Sequence, residues 1–376
     1  MSFLVQKSRR RLLHVDALKA VAAQAIVLHH LSAYGPIAHA VEAWLPHLMS
    51  VLHHYGRLAV QVFLVVGGFL SARGLSATGQ ALQGAVPELL WKRYLRLALP
   101  FMAAVFLTLA CSLLVEPWLE ELTPTSVSLP QLLAHGLLMQ DLLGFESLTV
   151  GAWYVAMDLQ LFAMLLGLMW LARRLQPARG LGQVRRWLRM AMAPALVLLL
   201  CLASLFVFNR DEQLDIWALY FFGAYGLGAL VHWLGLSPQR RVGLWVLTAL
   251  VLGALAVEFR ERIALALVTA LALAWWQARH DQAPEQQPLI RSPRLAHWVA
   301  QLGTHSYALF LIHFPVCLLL NAVFEHQDMA GGASGVVMML AAWGLSNLAA
   351  LAFYRWVEVP SGRLQLGNLL PRLLRA

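Results

Sequence analysis

Lys19 and His30 lie in the apolar stretch HVDALKAVAAQAIVLHH, eleven positions apart. At about 100° per residue, eleven helical steps return to within about 20° of the starting direction, so both side chains share one face. They sit roughly 16 Å apart along the axis, about half the thickness of a bilayer's hydrocarbon. Asp16 falls about 40° from His30 by the same count. An ionisable group held in hydrocarbon is costly and concentrates where substrates, ions or protons are handled. A neutral imidazole can take a proton from a hydroxyl, and an ammonium can hold an anion. The plain alternatives are a hydrogen-bonded packing histidine and a lysine that snorkels to the interface. His29 is turned by about 100° and cannot face the same site.

Five further segments carry polar groups. In WKRYLRLALP, Arg93 and Arg96 are three apart and share a helix face, so their guanidiniums could clamp phosphates; ordinary cationic flanking of a span is the alternative. In GRLAVQVFLVVGGFLSARG, Gly67 and Gly68 suit close helix packing. In WYVAMDLQLF, Asp158 and Gln160 interrupt an apolar run and must face protein or water. In LGTHSYALFLIHFPV, Ser306, His313 and Pro315 break a long span. In FYRWVEVP, Glu358 and Pro360 close the last span, where the carboxylate could simply pair Arg355. No glycine-rich phosphate loop, HExxH or GxSxG pattern is present, and no metal site is expected.

The elements that must position these residues are membrane helices. The chain is 376 residues long, 60% hydrophobic and 12% charged, where a soluble domain has about 25% charged residues. Apolar segments of spanning length recur at roughly 12–34, 56–76, 95–116, 151–171, 190–208, 214–235, 242–258, 263–277, 298–324 and 335–357. The expected fold is an all-α polytopic membrane protein of about ten spans. With the N-terminus inside, the outer connections hold only Arg57, Arg210, Arg260 and Arg262. Apart from Lys19 and Arg355 within spans, every other Lys and Arg falls on the inner side. That bias places both termini in the cytoplasm and accounts for the net charge of +9 without nucleic acid.

Cys111, Cys201 and Cys317 are scattered through apolar runs, which argues against a disulfide framework and a zinc site. Lys7 to Arg11, an apolar run and Ala38-His39-Ala40 imitate a secretory leader, but Asp16, Lys19 and the paired histidines make a retained anchor the better reading. The outer segment 117–150 contains LPQLLAHGLLMQDLLGF, read as a short amphipathic helix on the outer face, and 278–294 reads as a proline-bearing cytoplasmic loop. The organisation is therefore a cytoplasmic segment 1–11, a membrane domain 12–360 and a cytoplasmic tail 361–376, with no internal repeat and no soluble domain.

Six segments in this order resemble the acyltransferase-3 family of membrane acyltransferases, over roughly residues 12–360. The family's basic residue, ten residues and histidine match Lys19 and His30; its RxxR matches Arg93 and Arg96. Its FFVLSGFL appears as VFLVVGGFL, with Gly67 where serine is commoner. Its WSLSVEEQFY appears as WYVAMDLQLF, with Asp158 for glutamate and Gln160 kept. SYSLYLWHWPV matches SYALFLIHFPV, and the Tyr-x3-Glu-x-Pro ending matches Tyr354, Glu358 and Pro360.

The resemblance implies transfer of an acyl group, most often acetyl, from cytoplasmic acyl-CoA to a hydroxyl of an exported or surface carbohydrate, in a bacterial inner membrane. Acyl-CoA would be a substrate, with no permanently bound cofactor. Many relatives carry an added esterase-like domain. None is expected here, so a partner protein for glycan transfer or export is a further expectation. In this frame Arg93, Arg96 and Lys19 hold the donor, and His30 is the general base or carries the acyl group as an acyl-imidazole. Asp16 orients the site from below. Asp158, Gln160, Ser306 and His313 line or support the acceptor path, and Glu358 is structural. The competing readings are a proton-coupled transporter using Asp16, Lys19, His30 and Asp158 as a relay, and a non-catalytic glycan-export subunit.

Overall fold

The computed structural model describes residues 12–76, 79, 82, 84–124, 126–175, 182–282, 290 and 292–363. The segment 1–11 and most of the tail 361–376 lie outside the described residues, as do residues 283–289 and 291 of the loop 278–294. Among the described residues every regular element is helical. In chain order these are α1 (Leu13–Ala33), α2 (Pro36–Trp44), α3 (Pro46–Gly56), α4 (Val60–Leu75), α5 (Val86–Val115), α6 (Leu129–Gly136) and α7 (Ala152–Arg174). They are followed by α8 (Gly182–Phe206), α9 (Ala218–Gly235), α10 (Arg240–Val257), α11 (Glu261–Gln282), α12 (Pro293–His326) and α13 (Gly332–Phe353).

The ten apolar segments of the sequence fall, in order, on α1, α4, α5 and α7 to α13. Eight stretches among the described residues are long and apolar enough to cross a membrane. The helices α1 and α11 fall short of that apolarity. Asp16, Lys19 and the histidines dilute α1, and its buried positions face other helices rather than lipid.

The connection after α1 is not an irregular loop. Pro36 and Pro46 open α2 and α3 at positions where a missing N–H costs nothing, and one tight turn at Arg57–Ala59 carries α3 into α4. Asn321 on α12 pins this corner: its Oδ1 accepts from the Ile37 N–H at 3.0 Å, and its Nδ2 donates to the Cys317 carbonyl at 2.9 Å. The corner residue Gly35 has φ +87°, and a Cβ there would overlap the Asn321 side chain.

Two helix pairs hold the frame. The helices α4 and α9 touch backbone to backbone, because a Cβ on Gly68 would lie 1.8 Å from the Tyr225 carbonyl oxygen and one on Gly228 equally close to that of Val65. The Gly67-Gly68 pair is thus divided, with only Gly68 at the tight crossing. The helices α1 and α12 pack along much of their length, with Gly303 against the backbone of Asp16. The outer segment folds around buried His135: its Nδ1–H donates to the Gln131 carbonyl at 2.8 Å and its Nε2 accepts from the Leu148 N–H at 3.0 Å. Only eight residues of LPQLLAHGLLMQDLLGF are helical, started by a reciprocal Ser128–Gln131 cap. The chain then turns at Leu138, with φ 57°.

Candidate active site

His30 ends the polar stripe of α1 one turn before the helix stops. Its Nδ1 lies 2.7 Å from Nε2 of His313 on α12. The ring planes differ by 7° and the centroids are 4.8 Å apart, so the imidazoles meet edge to edge in nearly one plane rather than face to face. His313 Nδ1 lies 3.2 Å from the Leu309 carbonyl oxygen. A carbonyl only accepts, so His313 carries its proton on Nδ1 and presents a bare Nε2. His30 must then donate from Nδ1, which leaves its lone pair on Nε2. The fixed tautomer makes His30 Nε2 a hydrogen-bond acceptor and a proton acceptor. His313 is fully buried at 0% exposure, whereas His30 is only partly covered. A reacting molecule can therefore meet His30 and not His313.

At the other end of α1 a cavity of about 620 Å³ opens between α1, α4, α5 and α7. Asp16, Lys19, Arg73, Lys92, Arg93 and Arg96 line it, with Gly67 and Phe162 at its depth. Cations outnumber the single carboxylate, so the mouth favours an anionic ligand. The two arginines differ. Arg93 is drawn inward, its Nη2 donating to Asp158 Oδ1 at 2.8 Å and Oδ2 at 2.6 Å, with its guanidinium 5.2 Å from the centre of the Phe162 ring. A buried guanidinium needs such a partner, and this one takes Arg93 out of a symmetric clamp with Arg96. Tyr154, Tyr225 and Tyr307 surround the pair; Tyr225 donates to Ser71 Oγ at 2.7 Å and Tyr307 to the Leu97 carbonyl at 2.9 Å.

Glu358 does not line the cavity but lies near two of its cations. A π-turn at Tyr354–Glu358 ends the last span, and the charged neighbours of the Glu358 carboxylate are Arg96 and Lys19. An inserted residue of this kind re-aims the side chains that follow it and recurs at functional sites.

The model of the acyltransferase-3 family, described as an acyltransferase domain, matches residues 12–354. The chain belongs to the acyltransferase-3 family. With its apolar helices this makes it a multi-pass membrane acyltransferase. Comparison with curated proteins and with solved structures gives no significant match.

Within this acyltransferase-3 domain the remaining residues singled out by sequence are dispersed. Gln160 stands two residues from Asp158, about 200° round α7, and is partly buried. Ser306 is buried and its hydroxyl donates to the Gly303 carbonyl at 3.0 Å, which ties it to its own helix. Asp16 is buried beside Gly303 at the floor of the basic mouth. The sequence reading passed over Asn321, which sets the α1–α2 corner beneath the histidines, and the three tyrosines around Arg93. A polar residue about four turns from Ser306 on the same apolar span was the available signal for Asn321.

Proposed function

We propose that this acyltransferase moves an acyl group, most simply acetyl, from acyl-CoA at the basic mouth to a hydroxyl of a carbohydrate on the opposite face of a bacterial inner membrane. The observation that carries the reading is the hydrogen-bond chain from Leu309 through His313 to His30, because it presents a half-buried, unprotonated Nε2. His30 Nε2 takes the proton of the acceptor hydroxyl as the oxygen attacks the thioester carbonyl. The C–S bond breaks, and the imidazolium returns the proton to the leaving thiolate. The products are the sugar ester and free CoA thiol, with no net proton released.

Lys19, Arg73, Lys92 and Arg96 supply the charge that holds the phosphates of the donor. Arg93 stays with Asp158 and shapes the neck of the mouth. Lys19 and His30 are roughly 16 Å apart along α1, and an extended pantetheine arm spans about 15–20 Å by chain geometry. A donor anchored at the mouth therefore brings its thioester to the imidazole.

The test is His30→Ala, expressed and inserted like the parent. Thiol release from acetyl-CoA and acyl mass on surface glycans should both fall to background. Normal acylation by this variant overturns the mechanism.

A further inference from the structure

We propose that a second cavity, at the outer face, is the acceptor subsite and is built for an uncharged sugar ring. This rests on the acyl transfer proposed above. The cavity, about 580 Å³, lies within the size range of small-molecule sites. Gln61 from α4, Asp141 from the outer segment, Trp153 and Met157 from α7, and Asp215 and Phe221 around the start of α9 line it.

Its position fits the reaction. The helices α4 and α7 line both this cavity and the basic mouth. Gln61 and Gly67 are six residues apart, about 9 Å along the helix. Gly56, one residue before the rim residue Arg57, packs against His29, so the α1 histidines stand at the height of this cavity.

Gln61 is the polar side chain that a ligand in this cavity would meet on α4. It is only 5% exposed, lines the cavity and has no hydrogen-bond partner among the described residues. Its amide atoms are not sealed in the protein, so they are open to the hydroxyls of a ligand in the cavity. Trp153 supplies the second half of sugar recognition, with its ring 5.7 Å from that of Phe221 and partly uncovered. An indole face packs against the C–H face of a pyranose while side-chain oxygens take the hydroxyls.

The charge pattern selects the class of sugar. Arg260 is buried and engaged, its Nη1 donating to Asn209 Oδ1 at 2.7 Å and its Nη2 to the Leu205 carbonyl at 2.9 Å. The Arg262 guanidinium lies over Tyr220, 4.7 Å from the ring centre. These partners are neutral, so both keep their positive charge, and Arg57 adds a third guanidinium to the lining. Asp141 and Asp215, close enough to influence one another, remain as acceptors beside Gln61. With Glu212 and Glu261 the lining carries four carboxylates against three guanidiniums, a negative balance that takes hydroxyl donors and disfavours a carboxylate or phosphate on the ligand.

The test is saturation-transfer NMR on the purified full chain in detergent, with methyl glucoside and methyl glucuronide as probes and no acyl-CoA present. The glucoside should bind, the glucuronide should bind at least fivefold more weakly, and Gln61→Ala and Trp153→Ala should each reduce the glucoside signal at least fivefold. Asp215→Asn, on an exposed position, gives the same direction of change without touching the core. No glucoside signal in the parent, signals unchanged in all three variants, or a preference for the glucuronide overturns the subsite. Acyl transfer is read separately by His30-dependent thiol release. Loss of glucoside binding with thiol release intact sinks the subsite alone. Binding without thiol release sinks the transfer reading and leaves a sugar site.

Discussion

Two imidazoles of one pair are made unequal by burial. His313 is sealed inside the bundle and already donates to Leu309, so it can only position its neighbour. Removing a partner that orients an active group typically costs about 10–100-fold in activity. His313→Ala should therefore lower kcat by about that factor and leave the KM for acyl-CoA unchanged. His313→Gln, whose amide oxygen can still accept from His30 Nδ1–H, should recover part of the loss. Steady-state thiol release resolves kcat from KM, and a rise in KM with no recovery by glutamine would refute the positioning role. His30 was legible in the sequence because hydrocarbon makes a histidine expensive and helical spacing put it on the face of Lys19. His313 was singled out too, but its pairing with His30 was not readable, because 283 residues separate the two and only the packing of α1 on α12 brings them together. Arg93 shows the same limit. Spacing put it on one face with Arg96, but the carboxylate that captures it lies 65 residues away on another helix.

At the scale of elements, the crossing of α4 and α9 depends on the absence of side chains at Gly68 and Gly228. A methyl group on Gly68 would overlap a carbonyl oxygen, and backbone cannot step aside as a flexible side chain can. Overpacking a well-packed contact costs about 1–3 kcal/mol, so Gly68→Ala should lower the melting temperature in detergent, read by the loss of monodisperse protein after heating. An unchanged midpoint would mean that the crossing is looser than the geometry requires. The outer segment makes a different prediction. Burial holds the His135 imidazole below its ordinary value of 6.5. Above that value the ring is neutral both folded and unfolded. As pH falls below it, only the unfolded ring gains a proton, so folding of this segment loses stability on acidification. Hydrogen exchange in residues 129–148, corrected for intrinsic rates, should be faster at pH 5.5 than at pH 7.5, and equal protection would refute this. The spans were readable from apolar length, whereas α2 and α3 were not, because short helices leave little periodicity to read. Their proline starts were the one local mark.

For the whole molecule, charge and chemistry run along the same axis. The mouth lined by Lys19, Arg73, Lys92 and Arg96 faces the side on which cationic connections accumulate, and the cavity lined by Gln61, Asp141 and Trp153 faces the other. The Lys and Arg asymmetry made this polarity visible before any contact was known, since cationic segments stay on the cytoplasmic side during insertion. The asymmetry could not reveal that α4 and α7 line both openings, which is a property of packing. The polarity itself is directly measurable. Lys92 and Glu212 are exposed, on opposite faces by this argument, and Cys111, Cys201 and Cys317 are all buried, so background labelling is low. Glu212→Cys should react with a membrane-impermeant maleimide in intact cells. Lys92→Cys should react only after the membrane is opened. Labelling of both in intact cells, or the reverse order, would invert the donor and acceptor faces and with them the direction of acyl transfer.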